Sequence, residues 1–191
     1  MTGQASMRTD DMPLHGVTVV DLTRVLAGPM CTQMLADLGA RVIKVEQPGV
    51  GDDSRALGPF VDGRSAYFLS INRNKESIAL DLKAPADREI LERLLATADV
   101  LVENFRPGTM EKLGYGWDLL HERYPRLVMT SISGFGQTGP YRGFPAYDMV
   151  VQARGGLMSI TGESGGPPVR VGASIGDNVA GMYLAQGVRG A

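Results

Sequence analysis

Short apolar runs of strand length alternate with amphipathic segments along most of the chain. Residues 17–22 are β-branched and nearly continuous in apolar character, which is typical of a strand covered on both faces. Residues 30–38 carry their apolar side chains on one helical face, and Gly39 ends this helix before a second apolar strand at 40–46. Strand, turn, helix and strand of these lengths predict a right-handed, parallel βαβ unit.

The alternation continues to residue 132. Further strands are predicted at 76–82, 99–103 and 127–132, with helices between them, whereas 47–64 and 133–140 are rich in turn residues and predict loops. This pattern predicts an α/β fold with a doubly wound, mostly parallel, Rossmann-like sheet. The core is predicted from the apolar residues of these elements: Val19, Val20, Leu35, Val42, Ile43, Val45, Leu94, Val100, Leu101, Val128 and Ile132.

The last apolar elements frame an aspartate. Val169 and Val171 predict a short strand, residues 172–176 a tight turn, and residues 179–188 a helix. Asp177 lies at the start of that helix, where unpaired backbone N–H groups and the helix dipole favour a charged carboxylate. Such a carboxylate suits a nucleophile, but aspartate at this position is equally suited to capping the helix.

Composition limits the classes of partner. The 191 residues, 43% of them hydrophobic, suffice for one core, and a net charge of −2 without a basic block indicates neither nucleic acid nor an anionic membrane as partner. The single cysteine, Cys31, cannot form an intrachain disulfide, so the cytoplasm is the expected location. No segment is long and apolar enough to span a bilayer. Residues 1–12 are expected to be a disordered tail and residues 13–191 one domain.

The residues predict neither a metal site nor a standard dinucleotide site. His15 and His121 are the two histidines, and no Cys/His cluster accompanies them. Glu46 ends the second predicted strand, as the ribose-binding acid does in dinucleotide folds, but the first turn lacks the GxGxxG motif. Without those glycines a pyrophosphate cannot approach the backbone, so no permanently bound cofactor is expected.

Open sheets of this kind bind ligands beyond the carboxyl ends of their strands. In this chain those positions are residues 24–28, 47–49, Lys83, 104–106 and 134–139. They supply cations, small residues and one aromatic ring, a set that suits a ligand with phosphates and a flat ring. Polar loops also follow strands that bind nothing, so the pattern alone leaves both interpretations open.

Four segments with distinctive sequences follow one another in the chain: residues 22–52, 72–83, 98–114 and 134–177. Together they resemble the class III CoA-transferases, the family of formyl-CoA and carnitine CoA-transferases. The similarity runs from Pro13 to Gly187 in order. Because several motifs fall in register, the resemblance is far more specific than any single motif.

The resemblance implies a CoA thioester substrate and Asp177 as the nucleophile, which forms an acyl-aspartyl anhydride and then an aspartyl-CoA thioester before a carboxylic acid completes the exchange. It also implies that full-length members are homodimers. The residues that correspond to the family's CoA contacts are Leu26, Ala27, Leu80, Asp81, Leu82, Lys83, Asn104, Phe105, Arg106, Lys112, Ala146, Tyr147 and Asp148. From the residues alone, Asp148 is instead a cap for the helix that begins there.

Two positions depart from the family pattern. Gln47 stands where formyl-CoA transferase carries an arginine, and Pro145 stands where it carries a lysine. These losses put the binding of the CoA phosphates in doubt. Arg24, Lys44 and Arg73 are the candidates to compensate.

Two alternatives to CoA transfer remain open. The 2-methylacyl-CoA racemases resemble this chain throughout, but they carry a histidine where Tyr147 stands, and inverting a carbon requires a base on each face. Family members are also much longer than this chain. A truncated, catalytically silent chain that only binds CoA is therefore the second alternative.

Overall fold

The structure, a computed structural model, describes residues 11–191, so residues 1–10 of the predicted tail lie outside the described residues. Its helices and strands follow in chain order: β1 (Thr18–Asp21), α1 (Ala27–Asp37), β2 (Arg41–Glu46), β3 (Phe60–Val61), β4 (Arg64–Ser65), α2 (Ala66–Asn72), β5 (Lys75–Ala79), α3 (Pro85–Leu95), β6 (Val100–Glu103), α4 (Thr109–Leu113), α5 (Trp117–Arg123), β7 (Val128–Ser131), α6 (Asp148–Arg154) and α7 (Ile175–Gly190). Short 3₁₀ turns occupy Asp53–Ala56 and Leu157–Ile160.

Five strands form a parallel sheet in the order β5-β2-β1-β6-β7, and β3 and β4 form a separate antiparallel pair. Numbered by their position in the chain, the strands of the large sheet follow the order 3-2-1-4-5 of the Rossmann fold. The predicted doubly wound α/β fold is therefore confirmed. The strand order reverses at β1, so the ligand crevice of such a sheet is expected beyond the carboxyl ends of β1 and β6.

Helices cover both faces of the sheet. On one face α1 and α7 pack over the side chains of Val19, Val42 and Val100. On the other face α3, α4 and α5 pack over Val20 and Leu101. Most of the predicted core residues are buried, while Leu94, Val128 and Ile132 are half-buried.

The strand predicted at Val169 and Val171 is not formed. The Val171 N–H donates to the side chain of Gln152, and the Arg170 guanidinium donates to the carbonyl of Val171, so a strand ladder is replaced by side-chain contacts. The helix that follows begins at Ile175 rather than at residue 179. Asp177 therefore lies within the first turn of α7, and Ser174 occupies the N-cap position.

Small residues bring α7 close to α1. Gly181 and Ala185 are buried on α7, and a Cβ added at Gly181 would lie 2.6 Å from the Ala27 carbonyl oxygen and 3.4 Å from Cβ of Met30. Backbone cannot move aside as a flexible side chain does. Glycine at position 181 is thus required for this helix contact.

Within residues 11–191, no helix combines the length and apolar character needed to cross a bilayer.

We expect Gly181→Ala to destabilise the protein by about 1–3 kcal/mol, because overpacking against backbone outweighs the better helix propensity of alanine. Gly187→Ala on the same helix is the matched control, since a Cβ there meets nothing within 4 Å. The control should be neutral or stabilising by up to about 1 kcal/mol. Urea unfolding midpoints measure both effects, and equal stabilisation by the two substitutions would contradict the close contact.

Candidate active site

A cleft of about 630 Å³ opens at the carboxyl edge of the sheet. The ends of β1, β2 and β5 and the first residues after β6 line it, together with α4. The apolar part of its wall includes Leu22, Val45 and Leu113. Five of the residues predicted to contact CoA also line it, namely Leu80, Asp81, Leu82, Lys83 and Phe105.

The three cations proposed to compensate for Gln47 and Pro145 differ in whether they line the cleft and whether their charge is already paired. Lys44 is 1% exposed and pairs with Asp52 at 2.8 Å, so its charge is already neutralised. Arg73 binds the Asp37 carboxylate and is not among the residues of the cleft. Arg24 lines the cleft, and its exposed pair with Asp53 at 3.3 Å is weak.

Both carboxylate oxygens of Glu46 are occupied. The Arg55 guanidinium donates to each oxygen at 2.7 Å, the Ser77 hydroxyl donates to Oε1 at 2.6 Å, and the Asp52 N–H donates to Oε2 at 2.9 Å. Burial alone would raise the pKa of Glu46, but these hydrogen bonds outweigh it and lower the pKa to about 2. Glu46 therefore anchors the loop after β2 and has no lone pair left for a ribose.

Asn104, which corresponds to a family CoA contact, binds protein backbone in this structure. Its Oδ1 accepts from the Arg24 N–H at 2.9 Å, and its Nδ2 donates to the Arg24 carbonyl at 2.7 Å. The side chain thereby links the end of β6 to the turn between β1 and α1. Its side-chain amide is committed to holding that turn.

Asp177 is half-buried in the first turn of α7, the helix that packs against α1. It lies one helical turn before Gly181, whose Cα approaches Ala27, so the starts of α1 and α7 lie at the same edge of the sheet. Burial raises the pKa of Asp177, and the negative charge of Asp148 raises it further. The sequence predicted that the helix N-terminus would favour the charged form, whereas these two contributions act against it.

Tyr67 on α2 lies near Asp177. Burial raises the pKa of the Tyr67 hydroxyl, and the charges of Asp177 and Asp52 raise it further. Asp177 itself is not among the residues that line the cleft of about 630 Å³. The turn between β1 and α1, residues 22–26, connects the two regions.

Asp148 caps α7, not the helix that it begins. Its Oδ1 accepts from the Gly176 N–H at 2.8 Å, and its Oδ2 accepts from the Gln152 side chain at 2.7 Å. A Cβ at position 176 would lie 3.1 Å from the Asp148 oxygen, so glycine permits this approach. The interpretation of Asp148 as the cap of α6 is wrong, because Tyr147 is the N-cap of that helix. Its carboxylate instead orients the first turn that carries Asp177.

The remaining predicted contacts lie outside the cleft of about 630 Å³. Leu26 and Ala27 are buried at the start of α1, and Tyr147 is 79% exposed. Three more occupy separate positions: Arg106 lines a second cleft of about 430 Å³, Lys112 is exposed on α4, and Ala146 is half-buried.

Two residues of the site carried no signal in the sequence. Asp52 lies in an irregular segment where nothing distinguishes it from Asp53, and Tyr67 lies on α2, between the predicted loop at 47–64 and the predicted strand at 76–82. Asp52 acts through a hydrogen bond and an ion pair with distant parts of the chain. Among residues 11–191, no group of three or more His, Cys, Asp or Glu side chains is arranged to hold a metal ion.

The family model described as CoA-transferase family III matches residues 14–191. The chain belongs to CoA-transferase family III. It is 51% identical over 180 residues to the acetyl-CoA:oxalate CoA-transferase of Acetobacter aceti, covering 94% of this chain and 46% of that protein. It is 48% identical over 184 residues to the succinyl-CoA:glutarate CoA-transferase of Mus musculus, covering 95% of this chain and 42% of the relative.

Solved structures agree with this membership. A CAIB/BAIF family protein from Brucella suis superposes with a TM-score of 0.89 at 43% identity, covering 94% of this chain and 48% of that one. A hypothetical protein from Mycobacterium tuberculosis gives a TM-score of 0.85 at 42% identity, covering 94% and 49%. The chain thus spans about half the length of the relatives that it matches.

We expect the hydrogen bonds of Glu46 to make the free energy of unfolding decrease as the pH falls in the acidic range. The folded-state pKa of about 2 lies below the ordinary value of 4.5, so the unfolded chain takes up a proton first as the pH falls. The contribution is complete above pH 4.5 and is lost as the pH falls through about 2. The full pKa difference corresponds to about 3 kcal/mol, which solvent screening of the 44% exposed Arg55 partner reduces to roughly 2 kcal/mol. Urea unfolding of the wild type and Glu46→Gln between these pH values should show a shallower dependence in the variant. Identical slopes would contradict the anchor.

Proposed function

We propose that the protein transfers CoA between an acyl-CoA thioester and a carboxylic acid, with Asp177 as the nucleophile. The observation that carries the proposal is that this half-buried carboxylate has no partner among the described residues. Within residues 11–191, the side-chain carboxylate of Asp177 has no hydrogen-bond or ion-pair partner, although the residue is half-buried. Buried carboxylates that serve structure are normally paired, as Asp148 is. The curated relatives, named as CoA-transferases, support the same reaction.

The proposed reaction consists of successive acyl transfers. A carboxylate oxygen of Asp177 attacks the thioester carbonyl, the carbon–sulfur bond breaks, and CoA leaves as the thiolate. The thiolate then attacks the aspartyl carbonyl of the anhydride, which releases the first acid and leaves an aspartyl-CoA thioester. The incoming carboxylate attacks the aspartyl carbonyl of this thioester, the carbon–sulfur bond breaks, and CoA leaves again as the thiolate while a second anhydride forms. Return of the thiolate to the new acyl group yields the product and frees Asp177.

The surroundings of Asp177 support this chemistry. A half-buried carboxylate is less hydrated than one in water, which leaves it more reactive, and burial limits hydrolysis of the anhydride. Of the first three N–H groups of α7, that of Ile175 donates to the Ala173 carbonyl and that of Gly176 donates to Asp148. The N–H of Asp177 itself is therefore the backbone donor that we assign to the charge developing on the carbonyl oxygen. The raised pKa implies that activity falls as the pH decreases through it, because the protonated acid cannot attack.

The cleft of about 630 Å³ is the proposed binding site for CoA. Phe105 offers an aromatic face for the adenine, and Arg24 and Lys83 are the exposed cations along the cleft that we assign to the phosphates. The pantetheine arm would then pass the turn between β1 and α1 to reach Asp177.

We also propose that the protein is a homodimer, on the basis of the family resemblance, and that it is located in the cytoplasm, on the basis of the single Cys31.

The racemase alternative has less support. Tyr147 takes the place of the histidine that a racemase needs, and its side chain is 79% exposed. His121 stacks on Trp117 in α5, with ring centroids 4.8 Å apart, and is not among the residues that line the cleft. Exchange of the α-proton of a chiral acyl-CoA, followed by NMR, tests this alternative. Exchange at the rate of turnover would favour a racemase.

We expect Asp177→Ala to lower CoA transfer by at least about a thousandfold, because the covalent step is lost. CoA affinity, measured by calorimetry, should change less than about threefold, since the substitution removes no proposed CoA contact. Asp118→Ala is the matched control, because Asp118 also lies in the first turn of a helix, α5, and should leave transfer unchanged. Intact-mass spectrometry should detect an acyl or CoA adduct on the wild type alone. Transfer that survives in Asp177→Ala would refute the assignment.

We expect Arg24→Ala and Lys83→Ala each to weaken CoA binding about three- to tenfold, as for an exposed charge-assisted contact. Binding of pantetheine, which has no phosphate, should be unaffected. The control is Arg126→Ala, since Arg126 is exposed and lies outside the cleft. Equal losses for CoA and pantetheine would contradict a phosphate contact.

Binding of CoA without turnover is the remaining alternative. The observation behind it is that this chain covers 46% of the Acetobacter aceti relative. Turnover and size-exclusion measurements on residues 1–191 decide between the two. A monomer that binds CoA without transfer would favour binding alone.

A further inference from the structure

Val25, in the turn between β1 and α1, has a backbone conformation that its side chain disfavours. Its φ is +70°, in the left-handed region that valine rarely enters because of its β-branched side chain. Such a conformation persists only where surrounding contacts determine it more strongly than the residue itself does. The contacts around Val25 therefore explain why the turn takes this course.

Two side chains from outside the turn bind the backbone groups that lead into Val25. Asn104 binds both the N–H and the carbonyl of Arg24, at 2.9 and 2.7 Å. Asp52 accepts from the N–H of Val25 itself at 3.1 Å. Three consecutive backbone groups are thus bound by side chains that lie 80 and 27 residues away in sequence. We call Asn104 and Asp52 the turn clamp.

A buried ion pair supports the clamp. Lys44 and Asp52 are each 1% exposed and lie 2.8 Å apart, and the ammonium of Lys44 also donates to the Thr23 carbonyl at 2.7 Å. Asp52 in turn accepts from the N–H and the hydroxyl of Ser54. Asp52, Lys44 and Ser54 thus have partners in the low-dielectric interior, which makes the Asp52 side of the clamp rigid, whereas the bonds of Asn104 to Arg24 are exposed.

The clamped turn leads directly to the place where α1 meets α7. Leu26 is the N-cap of α1, and Ala27 is the residue whose carbonyl Gly181 approaches. Asp177 lies one helical turn before Gly181. The direction in which the chain leaves Val25 therefore sets the position of Leu26 and Ala27 relative to Asp177.

We propose that Asn104 and Asp52 are positioning residues for the transfer reaction, which hold Val25 in the left-handed conformation and so align the start of α1 with Asp177. This inference rests on the proposed function. It also gives Asn104 a role different from the CoA contact that the family resemblance implies.

A double-mutant cycle between Asn104→Ala and Val25→Gly tests the proposal. In the wild-type background, loss of the clamp lets the turn relax, and kcat should fall about 10- to 100-fold, as expected when reacting groups shift by about 1 Å. The KM for acyl-CoA should change less than about threefold. Glycine adopts positive φ without penalty, so in the Val25→Gly background the same substitution should lower kcat by less than about threefold. A direct CoA contact by Asn104 predicts equal losses, mainly in KM, in both backgrounds, and that outcome would overturn the proposal.

A second measurement does not depend on activity. The midpoints of urea unfolding of the same four proteins should show coupling between positions 25 and 104, with Asn104→Ala less destabilising when residue 25 is glycine. If the wild type transfers no CoA but this coupling is present, the proposed function fails while the clamp stands. If the midpoints are additive, the clamp fails whatever the activity. Should Asn104→Ala not fold, Asn104→Asp replaces it, because aspartate still accepts from the Arg24 N–H but cannot donate to its carbonyl.

Discussion

The close contact between α7 and α1 determines where the candidate nucleophile lies. α7 is far from β1 in sequence, yet Gly181 allows its backbone to approach the Ala27 carbonyl, which no larger residue would permit without a shift. Because α1 starts at the carboxyl edge of the sheet, this contact brings the first turn of α7 to the same edge. Asp177 reaches the neighbourhood of the cleft through this packing, not through the strand order of the Rossmann sheet itself.

The charged residues near this edge divide into two groups. Glu46, Asp52 and Lys44 are buried and each has a hydrogen-bond or ion-pair partner, and they shape the loop and turn that form the wall of the cleft. Arg24 and Lys83 remain exposed along the cleft, and Asp177 is half-buried beyond the turn. The first group gives rigidity, because a buried charge without its partner is strongly unfavourable. The second group is left to interact with a ligand.

The parts of the fold that depend on local pattern were predictable, and the long-range contacts were not. Continuous apolar runs located β1, β2 and β6, and the alternation of strands and helices gave the parallel sheet, because one face of each element must be buried. The strand predicted at Val169 failed because no neighbouring strand pairs with it there, which a local pattern does not reveal.

The candidate site shows the same division. The position of Asp177 at a helix start was predicted from the small residues before an apolar helix, and Lys83 from its place after a strand, whereas the nucleophile role of Asp177 and the contacts of residues 80–82 came from the family resemblance. The pairing of Asn104 with Arg24, 80 residues away, had no such signal. Nor did the left-handed Val25, because glycine or asparagine usually marks that conformation. The direction in which the Asp177 pKa is shifted depends on burial and on the distant Asp148, so only the folded chain reveals it.

The cap that Asp148 provides for α7 also has an energetic consequence for the resting site. Its carboxylate binds Gly176, the residue before Asp177, so two negative charges are held near one another in a half-buried place. Esterification or anhydride formation turns Asp177 into an uncharged group. In the proposed reaction, acylation would therefore relieve the mutual repulsion of the two acids, and the free enzyme would be primed electrostatically toward its covalent intermediate.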